Sequence, residues 1–176
     1  VEESKIATTR QAFQRRFREL PRCRVVLETG THANWAHDVL VEAGHEVIVA
    51  NARKLRAISD SDRKSDVRDA RTLAMIGQSV PALLGPVEVR SEQSRLDLMV
   101  VRARAAAVEA RTALVNTVRG LAKSAGFRLA KSGTSSAHKL AVPESLEGAL
   151  RPLMRLIEAL SKSIAEYDKQ IPAICR

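Results

Sequence analysis

The chemistry this sequence could perform rests on acidic side chains. Asp66 and Asp69 stand three residues apart, where residues 65–78 read as a helix with Val67, Ala70, Leu73, Ala74 and Ile76 apolar. That spacing puts both carboxylates on one face of a first helical turn. Glu28 closes a β-type run, Arg24-Val25-Val26-Leu27-Glu28, and ligands of open α/β sheets gather at the carboxyl ends of strands. Hard divalent cations, Mg2+ in particular, take carboxylate oxygens plus water. Two such ions about 3.5–4 Å apart can clamp the attacking and leaving oxygens of a phosphodiester. A plainer reading competes, because the helix dipole alone favours acidic residues in a first turn. Asp60 and Asp62 precede the pair, but an EF-hand beginning at Asp60 fails. Ser65 stands where that loop needs Gly, and Arg71 where it needs Glu. The four histidines lack ligand spacing, and Ser132, Ser135 and Ser136 lack the context of a nucleophile elbow.

The elements that must position these groups are legible. Thr8 or Thr9 can cap a helix over residues 10–20, with Phe13, Phe17 and Leu20 on one face and Pro21 as its stop. The first strand, 24–28, is followed by a turn at Thr29-Gly30-Thr31 and a helix over 32–43 with Gly44 past its end. A second β-type run, 46–50, completes a βαβ unit, which implies a right-handed crossover and parallel strands. Residues 51–58 suggest a short helix and 59–64 a polar loop. Pro81, Gly85 and Pro86 then mark a linker.

Beyond it, residues 91–125 read as a long helix. Leu96, Val100, Ala103, Ala107, Ala110, Leu114, Thr117 and Leu121 step by four and three, and Gly126 ends the helix. Residues 131–137 read as a flexible link. A second stripe follows Pro143, with Leu146, Leu150, Leu153, Ile157, Leu160, Ile164, Tyr167 and Ile171 in heptad spacing. Pro152 falls inside it and should kink the helix. The two stripes fit an antiparallel helical hairpin or a surface that pairs with a second chain.

Charge narrows the partners. The 176-residue chain carries a net +9, and residues 90–139 alone carry +7. Such a segment suits a polyanion. Aromatic residues are 3% of the chain, which argues against a base-stacking platform and for phosphate contact. Arg95, Arg102, Arg104, Arg111, Arg119 and Lys123 on the long helix, with Lys64 before the acidic pair, are the candidate contacts. A solvated helix flank is the bland alternative. No apolar run reaches the ~18 residues of a membrane span. Two unpaired cysteines and no visible signal peptide point to a reducing, cytoplasmic setting.

Taken in order, Val25 to Gly30, Ala43-Gly44-His45-Glu46-Val47, Asn51-Ala52-Arg53 and Lys64 to Ala74 resemble the N-terminal domain of DEDD-type insertion-sequence transposases, which Piv-type DNA invertases share. The likeness covers residues 1 to about 125, and the stripe over 143–171 resembles the helical connector of these proteins. The resemblance implies an α/β, ribonuclease H-like (RuvC-like) domain. Its four carboxylates bind Mg2+ or Mn2+: an Asp on a first strand, a later Glu, and an Asp-x-x-Asp pair. Glu28 matches that Glu, and Asp66 and Asp69 match the pair.

The first Asp belongs to a strand expected before Val1, so the domain over 1–80 is expected to be incomplete, with Val25, Val26 and Leu27 exposed. A helical hairpin or coiled coil over 90–171 is expected to follow, without the serine-bearing C-terminal domain. The implied function is metal-dependent DNA strand cleavage and transfer, although the chain on its own is expected to be inactive. Implied partners are DNA, an element-encoded guide RNA and further copies of the chain through the hairpin. Two other readings stay open: a non-enzymatic helical module that oligomerises and binds nucleic acid, and a RuvC-like junction nuclease.

Overall fold

The computed structural model describes residues 4–51 and 66–174, with the side chains of 66–68 outside the description. The helix expected over 51–58, the loop over 59–64 and Lys64 fall outside it, save for Asn51. The chain forms two compact units, Val1–Arg90 and Ser91–Arg176.

The first unit is built on two parallel strands, β1 (Arg24–Glu28) and β2 (Glu46–Ala50), in the register Arg24 to Glu46 through Glu28 to Ala50. Helix α1 (Arg10–Arg18) starts at Thr9, whose hydroxyl accepts from the Ala12 N–H. Helix α2 (Ala33–Glu42) forms the crossover between the strands and buries Ala33, Ala36, Val39 and Leu40. Gly44 takes φ +88° in the turn that follows. Phe13 meets Trp35 edge-on at 5.2 Å and so packs α1 on α2. His45, 6% exposed, ties three segments together. Its Nε2 donates to the Phe17 carbonyl at 2.8 Å, and its Nδ1 accepts from the Cys23 N–H at 3.3 Å.

The other face of the sheet is covered by α3 (Asp66–Ser79). At Gly77 α3 lies close on β1: a Cβ there would be 2.5 Å from Cγ2 of Val26. Arg24 reinforces the contact, donating from Nη1 to the Gly77 carbonyl at 2.9 Å and from Nε to Glu46 across the strand pair at 2.9 Å. With helices on both faces, Val25, Val26 and Leu27 are half-buried rather than exposed as expected. What is open is the backbone edge of β1. The Cys23 carbonyl and Thr29 N–H bond to β2, so strand alternation turns Arg24, Val26 and Glu28 toward an edge that no strand covers among the described residues. The far edge of β2 is occupied. After a 3-10 turn at Pro81–Leu84, the Asn51 N–H donates to the Leu84 carbonyl at 2.9 Å and the Val87 N–H to the Val49 carbonyl at 2.8 Å. The expected linker is thus partly a sheet edge, anchored by the fully buried Leu84.

The second unit pairs α4 (Glu92–Ser124), capped by the Ser91 hydroxyl, with α5 (Glu147–Ile174). Arg104 meets Asp168 and Arg111 meets Ser161, so rising numbers on one helix face falling numbers on the other: the pair is antiparallel. Val115, Val118 and Ala122 form one buried cluster with Leu150, Met154, Ile157 and Ala137. Each large side chain buried there contributes roughly 1.5–3 kcal/mol. The half-exposed Arg104–Asp168 pair contributes at most about 1 kcal/mol. Apolar burial therefore holds the hairpin.

The α5 stripe lies where its spacing predicts, with Leu150, Ile157 and Ile164 buried. The α4 stripe does not. Its buried line runs through Val115, Val118 and Ala122, one residue on from the expected Leu114, Thr117 and Leu121, and Leu121 is 45% exposed. Alanines at 103, 107 and 110 gave the apolar pattern little contrast, and arginines at 104 and 111 occupy the true line. The flexible link is corrected as well. Ala137 is buried in the cluster, and Arg119 donates to the Ser132 carbonyl at 2.7 Å. Helix α5 runs unbroken through Pro152. The carbonyl that Pro152 leaves without a backbone donor belongs to exposed Gly148, where water can serve it.

Gly77→Ala should lower the stability of the first unit in a denaturant melt. Overpacking against a branched side chain costs about 1–3 kcal/mol, and the gain in helix propensity returns only about 0.5–1 kcal/mol. Gly120→Ala, inside α4 with open space around it, should instead raise stability by about 0.5–1 kcal/mol. Equal effects at the two positions would refute the close approach.

At the start of α5, Glu147 accepts from Arg151 Nε at 2.7 Å and from its Nη2, and this bonding holds the Glu147 carboxyl below the usual range. A carboxyl lowered in the fold stabilises above its unfolded value and loses that contribution as pH falls through its folded value. Glu147→Gln should therefore melt lower than the parent at neutral pH, with the gap narrowing as pH falls below the ordinary Glu range and through the lowered folded value. A gap that persists in acid would assign it to something other than this charge pair.

Candidate nucleic-acid and metal site

Glu28 sits at the C-terminal end of β1 with an exposed side chain. Its strand position follows from the register with Ala50, and the next residue, Thr29, donates its N–H to the Ala50 carbonyl at 3.0 Å. Asp66 is the first residue of α3, and Asp69, half-buried, lies one turn along. The helix that carries the pair packs directly on the strand that carries Glu28. Neither Glu28 nor Asp69 has an ion-pair partner among the described residues, so their oxygens are unclaimed. No group of three or more His, Cys, Asp or Glu side chains able to hold a metal is found among the described residues, and the Asp66 side chain lies outside them.

The basic residues of α4 divide into two sets. Arg104, Arg111 and Arg119 are engaged within the hairpin. Arg104 donates to Asp168 at 2.5 Å. Arg111 is half-buried, with Nη1 on Ser161 at 3.4 Å and Nε buried without a partner. Arg119 holds the chain at Ser132. Arg102 and Lys123 are exposed, and no ion pair ties either among the described residues. Arg95 is half-buried and takes part in an interaction of its own. In the sequence all six read as one stripe, because a helical pattern marks which residues are basic but not which face meets α5. Arg128 and Lys131, beyond the helix and without a periodic pattern to mark them, join Arg119 and Lys123 around a cavity. No helix among the described residues is long and apolar enough to cross a membrane.

Comparison with known proteins decides the family. Residues 2–126 match the family described as transposase, of the DEDD type and IS110 group. The chain belongs to the IS110-type DEDD transposases. A protein of Pseudomonas aeruginosa described as "Probable family 20 transposase" is 30% identical over 171 residues, 91% of this chain. The chain spans about half the length of that relative, 49%. No solved structure matches it. The transposase resemblance read from the ordered segments is borne out. The family match ends at residue 126, so α5 lies outside it.

The division of the arginines is testable. Arg111→Met should keep or raise the melting temperature, since it removes a buried unpaired donor that costs about 1–3 kcal/mol, and should leave DNA affinity unchanged. Arg102→Gln should leave stability unchanged and flatten the slope of log K against log salt by about 0.9 on duplex DNA. Reversed outcomes would put Arg111, and not Arg102, on the phosphates.

Proposed function

We propose that the chain is the nuclease-type domain and helical connector of a DNA transposase, which acts in insertion-sequence transposition by metal-dependent strand cleavage and transfer. The observation that carries this reading is the family match over 2–126, joined to the position of the matching carboxylates. Glu28 ends β1, and the Asp66 and Asp69 pair opens the helix packed on that strand. The two parallel strands with their crossover helix are compatible with part of a ribonuclease H-like (RuvC-like) sheet, and the open edge of β1 is where further strands of such a sheet would pair.

The donor chemistry fits Mg2+ or Mn2+, which prefer carboxylate oxygens. Glu28, Asp66 and Asp69 would hold the cation, which when bound polarises the scissile phosphodiester and activates the attacking oxygen. The exposed Arg102 and Lys123 would hold DNA through its phosphates, a contact that positions without reading sequence. DNA is the proposed substrate, an element-encoded guide RNA the proposed companion, and assembly through the hairpin the proposed route to oligomers. A purely binding role for the hairpin is the second reading, favoured by its folding as a compact unit of its own.

In a full-length family member carrying this segment, Glu28→Gln or Asp69→Asn should bring Mg2+-dependent strand cleavage to background while DNA affinity in a gel-shift assay stays within twofold, roughly. Cleavage that survives either change would remove that residue from the site. Loss of DNA binding in both would show that the carboxylates act on folding rather than on cleavage.

A further inference from the structure

The C-terminal end of α4 opens onto a cavity of about 790 Å3 whose wall includes Arg119, Lys123, Phe127, Arg128, Lys131 and Ser132. No acidic residue lines it. That volume falls in the range of small-molecule sites, about 300–1,000 Å3. Its shape is set by the helix end. The Phe127 N–H bonds to the Ala122 carbonyl at 2.9 Å, the Gly126 N–H bonds to the Lys123 carbonyl at 3.0 Å, and Gly126 takes φ +84°. This is a Schellman cap, and its left-handed residue turns the chain back sharply. Arg119 then pins the returning strand of chain at Ser132 and closes one wall.

Two features of the cavity go beyond what the helix cap requires. Lys123, Arg128 and Lys131 are exposed, and none has an ion-pair partner among the described residues. The negative end of a helix dipole offsets only about half a charge, and here the cap already serves its last carbonyls. Phe127 is 41% exposed, whereas in the first unit Phe13 meets Phe17 at a tilt and Trp35 edge-on, and Tyr167 is half-buried. Three cations that line one cavity call for an anion, and a part-exposed aromatic side chain in the same wall suits a flat apolar ring. One ligand chemistry supplies both: a nucleotide whose base is out of its stack, with the phosphates of its strand alongside.

We propose that this cavity holds an unpaired nucleotide of a bound DNA or RNA strand, its base against Phe127 and its flanking phosphates on Lys123, Arg128 and Lys131. The inference rests on the reading of the chain as a nucleic-acid-binding transposase segment and adds where an unstacked base is received. A duplex hides its base faces, so it engages the cations but not the ring. The low aromatic content, which argues against a stacking platform, is compatible with a single stacked base.

Fluorescence anisotropy on the whole chain tests it, with one labelled sequence offered as single-stranded DNA, single-stranded RNA and duplex DNA. Phe127→Leu keeps an apolar side chain for the helix cap and removes the π-face. It should weaken binding of one or both single strands by at least about fivefold while leaving duplex affinity and melting temperature unchanged. Phe127→Trp should hold or tighten single-strand binding, and its emission should be quenched by the single strand more than the parent's Trp35 emission is. The strand with the larger loss identifies the source of the nucleotide. Arg128→Gln and Lys131→Gln should weaken single strands and flatten their salt slope by about 0.7 each.

Single-strand affinity unchanged in a folded Phe127→Leu, or lost equally for single strand and duplex, overturns the stacked base. Should Phe127→Leu melt early, absence of single-strand quenching in Phe127→Trp overturns it instead. Wild-type protein that binds no form of nucleic acid at low salt refutes the underlying reading as well, so the two failures are distinguishable.

Discussion

The first unit depends on one close approach, that of α3 to β1 at Gly77. No side chain at that position would let the helix lie so near Val26, and Arg24 clamps the same carbonyl from the strand. The chain leaving α3 then turns through Pro81–Leu84 and lays its backbone along the outer edge of β2. Helix α3 is thus bound to the sheet through its own packing and through the segment that follows it. The consequence reaches the candidate site. Asp66 and Asp69 begin the helix, Glu28 ends the strand, and the geometry relating them is inherited from a contact between two residues with no chemistry of their own.

The second unit solves a different problem. A long helix rich in alanine has little apolar surface to bury, so its seam is narrow and concentrated near the C-terminal end, at Val115, Val118 and Ala122. Farther along, arginines stand in the seam. Their stems cover apolar surface while their heads reach Asp168 and Ser161 across it. This arrangement contributes little stability at Arg104, where the ion pair is half-exposed, and leaves the Arg111 Nε unsatisfied. It does set which polar residue of α5 meets which residue of α4. The apolar cluster fixes that the helices pair, and the arginines reward one register.

The charge of the chain takes on a different meaning once these contacts are seen. The +7 carried by residues 90–139 is not one surface. Part of it is spent on holding the hairpin together and on closing the loop at Ser132. The remainder is divided between the exposed α4 flank at Arg102 and the cavity beside Gly126, whose wall holds both cations and Phe127. Under the proposed function these two places would favour different forms of nucleic acid, since a helix flank suits a continuous phosphate backbone and a cavity suits a base removed from its stack.

The local frame is legible in the amino-acid order alone. Both strands lie on the residues their apolar runs predict, Thr9 caps α1 as its position suggests, the long helix begins within a residue of where its pattern does, and Gly44 and Gly126 follow helices in left-handed conformations. The α5 stripe was legible because large aliphatic residues contrast sharply with their polar neighbours, and the family was legible in the order of short segments. These features depend on side chains within a turn or two of one another. The tertiary structure decided what depends on distant partners: the seam of α4, the division of its arginines, the ordering of residues 131–137, the pairing of 84–87 with β2 and the need for glycine at 77. Alanine reads alike on every helix face, and an arginine reads as solvent-facing until the chain brings an acceptor to it. Only packing against a particular partner distinguishes the buried face from the exposed one.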